Sequence, residues 1–219
     1  MDFVEIGMKV GVFYVPFLFA LCFHEFSHAW MAKKRGDRTA EFMGRLTLNP
    51  SAHMDWIGTF VLPLSALLFN LPIFFGWAKP VPYDPRNLKN PRVDAFWIAL
   101  AGPASNFLLA GITALVIGLL FRLGMGFEFA KSLIQVLSFF VTTNLFLGFF
   151  NAIPLHPLDG GKILARFLPH HINEKLEDNA HITSLVLMAL IFTGALGVLA
   201  VPVFWTRDLL LGLALRGAL

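Results

Sequence analysis

Residues Phe13 to Trp30 form an apolar run long enough to cross a bilayer, yet His24, Glu25 and His28 sit inside it. A span needs about 20 apolar residues. An Asp, Lys or Arg at that depth costs roughly 2.5–3.5 kcal/mol on insertion scales, so three polar groups there require a reason. The rest of the chain repeats the apolar pattern. Of its 219 residues, 57% are hydrophobic and 14% charged, against about 25% charged in a soluble domain. The chain therefore reads as a single integral membrane domain, residues 1–219, in contact with the lipid bilayer. The net charge of +3 is too small to indicate a nucleic-acid partner. The lone cysteine, Cys22, excludes an intramolecular disulfide framework. Asp2 and Glu5 stand where a signal peptide carries positive charge, so the first helix is expected to be retained.

Further spans are expected at about Ala95 to Phe121, Ser132 to Ile153 and Ile182 to Val203. The tail from Thr206 onward reads as a short last span or an interfacial helix. Between the first helix and the Ala95 span, Trp56 to Phe75 is apolar but broken by Pro63, Asn70 and Pro72. The expected fold class is an all-α polytopic membrane protein. It has about five to six transmembrane helices and a re-entrant or extended element between the first and second core helices. The core covers about residues 7–165, and C-terminal helices about 166–219.

The embedded residues spell His-Glu-Phe-Ser-His, a match to H-E-x-x-H. Residues four apart lie on one helix face, which suits two imidazoles on one zinc ion with Glu25 beside them as general base. The bland reading is a pair of hydrogen-bonded core histidines, and it leaves the buried glutamate unexplained. A catalytic zinc takes three protein ligands. The segment "NAIPLHPLDGGK" offers Asp159, with His156 as a lower-ranked competitor, on a Pro- and Gly-rich stretch that ends a span. Irregular backbone at membrane depth is tolerated only beside protein or a water-filled cavity.

Together, "HEFSH", "AGPASN" at residues 101–106 and "NAIPLHPLDGG" resemble the site-2 proteases, the intramembrane zinc metalloproteases. "GRLTLNPSAHMDWIGT" and "FGWAKPVP" look like the compact bacterial branch without a PDZ domain. The resemblance runs from about residue 20 to 165. It implies one Zn2+ per chain held by His24, His28 and Asp159, with Glu25 activating water. It also implies that Asn106 and Asn151 line the site and hold substrate or oxyanion. The implied substrate is a membrane-anchored protein or peptide. The implied location is the bacterial inner membrane, multi-pass, with the site toward the cytoplasm. The sequence carries no signal for an oligomeric state.

Charge and parity test this reading without the family. "KKRGDR" places the HEFSH end of the first helix at the cytoplasmic side. Asp159 must lie at the same face, because a hydrocarbon core about 30 Å thick separates the two sides. Two crossings separate the motifs if Trp56 to Phe75 is re-entrant, and three if it spans. A re-entrant hairpin is therefore expected, followed by "GWAKPVP" either as an extended segment near the site that could receive an unwound substrate as an added strand or as a simple connecting turn. His53 and Asp55 follow on the same side. Capping or support is favoured for them, with a hydrogen bond behind a metal ligand as the functional alternative for His53. The pair His170 and His171 reads as solvated loop. A transporter using the buried His and Asp as a cation path is the competing class. No inverted repeat or second set of charged residues accompanies it. A non-catalytic scaffold would not need Glu25 and Asp159 together.

Overall fold

A computed structural model of the chain describes residues 2–70, 76–123 and 127–216. The first helix, α1 (Phe3–Arg35), is continuous and passes through a π-helical stretch at Val10–Tyr14. Gly36, in the left-handed region at φ 110°, ends it by donating its N–H to Ala32 and Lys33 carbonyls. Lys33, Lys34 and Arg35 occupy the last turn, where cations complement the helix dipole.

A helix α2 (Trp56–Leu68) follows, π-helical over Trp56–Val61 and α-helical over Leu62–Leu68. Asp55 caps it by accepting from the Ile57 and Gly58 N–H groups. At 1.5 Å per residue α2 is about 20 Å long, short of the roughly 30 Å hydrocarbon core. The chain then returns to its start. The Trp77 N–H donates to the Gly58 carbonyl at 3.1 Å, and Thr59 Oγ1 donates to the Trp77 carbonyl at 2.7 Å. A Cβ on Gly58 would lie 2.4 Å from the Trp77 ring, so only glycine lets the two limbs close. Residues 58 and 77 thus sit together, as expected of a re-entrant element rather than a single crossing. Asn70 near the tip has φ 50° and accepts from Lys9 Nζ at 2.7 Å, deep along α1. Pro72, one of the expected breaks, lies outside the described residues.

Two long helices complete the core, α3 (Pro91–Arg122) and α4 (Phe127–Asn151). Both pack on α1 and on each other. The junctions fix their direction. Arg35 at the end of α1 pairs with Asp94 at the start of α3 at 3.6 Å. Arg92 donates to the Leu168 carbonyl beyond α4. The end of α1, the start of α3 and the segment after α4 therefore share one end of the bundle. Asp37, fully buried there, accepts from Thr39 Oγ1, Asn87 Nδ2 and the Asp84 N–H. It binds the basic turn to the Pro-rich segment before α3.

Short helices α5 (Asp159–Ala165) and α6 (His170–Asp178) lead to α7 (Ala180–Phe192) and α8 (Ala195–Arg216), the last opening with a 3-10 stretch at Ala195–Leu199. The expected all-α polytopic class holds among the described residues. Four helices are long and apolar enough to cross a membrane, and α2 and α7 are shorter apolar ones. The C-terminal boundaries differ from the sequence reading. The span expected at Ile182 to Val203 is broken at Gly194, whose φ of 72° no helix interior adopts. The tail instead belongs to α8, and Arg207 and Asp208 pair within it at 2.8 Å.

Candidate active site

His24 and His28 project from one face of α1 against α3, and both are buried. Each ring is held from behind. His28 Nδ1 lies 2.7 Å from the Ile98 carbonyl, which can only accept, so Nδ1 carries the proton. His24 Nδ1 lies 2.6 Å from Asn106 Oδ1. The Asn106 amide nitrogen donates to the Ala20 carbonyl at 3.2 Å and to Asn144 Oδ1 at 2.9 Å, which fixes the amide with its oxygen toward His24. Both Nε2 atoms are then left as bare lone pairs.

These lone pairs converge. His24 Nε2 and His28 Nε2 are 3.0 Å apart, and each is 3.1 Å from Asp159 Oδ2. Asp159 opens α5, brought to this end by the return of α4. Three acceptors facing one another in a buried spot repel unless a cation lies among them. Donors at 2.0–2.1 Å from a tetrahedral zinc would be roughly 3.3 Å apart, so the triangle fits the ion that the donor types favour. Among the described residues, no other group of three His, Cys, Asp or Glu side chains gathers in this way.

Gly102 explains part of "AGPASN". A Cβ there would lie 2.4 Å from His28 Nε2 and 2.7 Å from His24 Cε1. Its absence lets α3 approach the two rings, and Asn106 follows one turn later to meet His24.

Glu25 is buried beside the triangle, and its Oε2 accepts from the Val81 N–H at 3.1 Å. Val81 belongs to the expected extended segment. Pro80 and Pro82 hold Lys79 and Val81 out of the α region. Ala78 forms an isolated antiparallel bridge with Met54, and the Lys79 N–H donates to the His53 carbonyl at 2.9 Å. Ala78's own N–H and carbonyl have no partner among the described residues.

A cavity of about 740 Å³ joins these parts. One pole holds His24, Glu25, His28 and Asp159, with Ala78 and Val81 along a wall. The remainder is mostly apolar, lined by Phe139, Phe146, Leu147, Leu187, Met188 and Ile191 among others from α4 and α7. Asn151 lines it, its Nδ2 bonded to the Leu147 carbonyl at 3.0 Å. Asn106 does not. It is fully buried, and its oxygen and both amide hydrogens are engaged. It therefore has no donor left for substrate or an oxyanion, and that expectation gives way to a position behind His24.

His53 is 1% exposed and hydrogen-bonds to neither histidine of the triangle. Its Nε2 meets the Thr47 carbonyl at 2.8 Å, and burial lowers its pKa. His156 is also buried, with a lowered pKa for the same reason, and stands outside the triangle. Sequence reasoning missed Asn144, fully buried on α4. The available signal was an amide in the mostly apolar second half of that helix.

The model of peptidase family M50 matches residues 12–130 and 126–194. The chain belongs to peptidase family M50, the site-2 proteases. Relatives bearing the name "Putative zinc metalloprotease" include YwhC of Bacillus subtilis, 35% identical over 181 residues, which cover 82% of this chain and 79% of YwhC. Rip2 of Mycolicibacterium smegmatis is 30% identical over 200 residues, 85% of this chain and 70% of Rip2. Rip3 of Mycobacterium tuberculosis is 41% identical over 81 residues, 36% of this chain and 19% of Rip3. No solved structure matches the chain. This M50 chain is thus a membrane zinc metallopeptidase, with a protein substrate.

Proposed function

We propose that the chain hydrolyses a peptide bond in or near the transmembrane segment of a membrane-anchored protein. One zinc per chain is held by His24, His28 and Asp159, and Glu25 is the general base. The observation that carries this reading is the triangle of three buried acceptor atoms at 3.0–3.1 Å. Lys33, Lys34 and Arg35 at the end of α1 support a site facing the cytoplasm, and the bacterial relatives support a bacterial inner membrane.

When bound, zinc supplies polarisation of the scissile carbonyl and acidification of a water. The chain's own residues do the rest. Glu25, aimed into the cavity and steadied by the Val81 N–H, takes the proton of the attacking water. It then delivers that proton to the leaving amine nitrogen. Asn144 fixes Asn106, and Asn106 fixes the tautomer and plane of the His24 ring. Asn151 contacts the substrate from the cavity wall. A helical substrate hides its peptide bonds in its own hydrogen bonds, so it must unwind first. The N–H and carbonyl of Ala78, without partners among the described residues, offer the unwound stretch a strand to pair with. The apolar remainder of the cavity takes its side chains.

The test is zinc content per chain for wild type, His24→Ala and Asp159→Ala, purified in mild detergent. One zinc in wild type with loss in both variants is expected. Full zinc in Asp159→Ala would remove the third ligand.

A further inference from the structure

Arg45 is a cation in an expensive place. It is 5% exposed, it forms no ion pair among the described residues, and its Nε has no partner. A buried guanidinium without a carboxylate is costly to keep. Its side-chain hydrogen bond runs from Nη2 to the Lys79 carbonyl, at 2.5 Å. Its own N–H donates to the Ala40 carbonyl at 2.8 Å, so the residue is anchored in the turn that follows α1.

Lys79 is therefore gripped on both sides of its residue. Its N–H goes to the His53 carbonyl, and its carbonyl receives Arg45. Two residues on, the Val81 N–H holds Glu25. In an extended chain, residues two apart present their N–H groups to the same edge, so one edge of this segment meets His53, Arg45 and Glu25 in that order. Pro80 between them has no N–H and stiffens the link. The charge at Arg45 thus lies two residues from the backbone group that steadies the proposed base.

We infer that Arg45 is a positioning residue for hydrolysis, acting through the Lys79 carbonyl to hold the segment whose Val81 N–H orients Glu25. The inference deepens the proposed function and rests on Glu25 as the base. Arg45 contacts neither the triangle nor the cavity, so its loss should spare the metal and slow the chemistry. Arg45→Lys retains one donor and a charge, and should restore most of the hold.

The test compares wild type, Arg45→Ala, Arg45→Lys and Glu25→Gln, as full chains in mild detergent. Three quantities are read: zinc per chain, amide hydrogen exchange across residues 76–83, and kcat and KM for a fluorogenic transmembrane peptide that the wild type cleaves. Expected for Arg45→Ala are full zinc, faster exchange confined to 76–83, and kcat lowered about 10- to 100-fold, as for a misplaced catalytic group. Arg45→Lys should recover to within a few-fold. Unchanged exchange and kcat in Arg45→Ala would overturn the inference. So would loss of zinc together with general deprotection in both Arg45 variants, which would make the residue structural only. Glu25→Gln separates the two readings. If it keeps wild-type kcat the base assignment fails, whereas an inactive Glu25→Gln beside a fully active Arg45→Ala sinks the inference on Arg45 alone.

Discussion

His24 Nδ1 and Asn106 Oδ1 meet at 2.6 Å across 82 residues of chain, and this bond decides which way the buried imidazole faces. With Nδ1 protonated, Nε2 must present a lone pair toward His28 and Asp159. Asn144 completes the arrangement by turning the Asn106 amide. Removing the acceptor should therefore weaken metal binding without touching a ligand. Asn106→Ala should lower zinc affinity about 10- to 100-fold, and Asn144→Ala should do so to a smaller extent. Competition with a chelator measures both. An unchanged affinity in Asn106→Ala would remove the amide from the site.

The close approach of α3 to α1 makes a second expectation. Gly102→Ala places a methyl 2.4 Å from His28 Nε2, against the two ligand rings. Backbone on one side and a ring fixed by Ile98 on the other leave little room to yield. Zinc should fall to a small fraction of one per chain while the helices stay folded, read by metal analysis and circular dichroism. Retention of a full zinc would show that the rings can move aside.

Glu25→Gln should keep its zinc and lose peptidase activity, by about 10²- to 10⁴-fold for loss of a general base. The amide is nearly isosteric and still accepts from the Val81 N–H. Zinc content and turnover on the same preparation check this, and near wild-type turnover would refute the role.

The hairpin at α2 predicts topology. Reporter fusions at Asn87 should report the same side as fusions at Arg38, because Gly58 and Trp77 are bonded and Asn87 donates to Asp37. A reporter at Asn87 on the opposite side from Arg38 would contradict the re-entrant path.

Acid should destabilise the chain before it reaches the carboxylates. Burial lowers the folded-state pKa of His53 and of His156. The unfolded chain then binds more protons below the ordinary histidine value of about 6.5. Stability is full above that value and falls as pH drops through it. Asp37 adds a second loss at lower pH. Burial pushes it up, but hydrogen bonds from Thr39, Asn87 and the Asp84 N–H outweigh that and hold it below the usual carboxylate range. Thermal melts in detergent between pH 7.5 and 5.5 should show a falling Tm. His53→Gln and His156→Gln should each flatten the slope, and a slope unaltered in both would exclude these histidines as its source.

Much was written in the sequence. Hydropathy determines that the chain is a helical membrane protein, because each span must satisfy its own backbone in lipid. The one-turn spacing of His24 and His28 places two donors on one face, and a polar cluster at that depth marks the site. Parity then requires a hairpin between the first two core helices. What only the tertiary structure decided is what lies behind those residues. The buried amide of Asn106 turns toward His24 rather than toward the cavity, since its hydrogen bonds run to Ala20 and Asn144 on two other helices. Asn144 and Arg45 come to matter only through partners 38 and 34 residues distant. The last span shifts to Ala195–Arg216 because a positive φ at Gly194 breaks an apolar run that hydropathy reads as continuous. Periodicity reports which face a residue occupies, whereas hydrogen-bond direction and helix ends depend on neighbours that only the folded chain supplies.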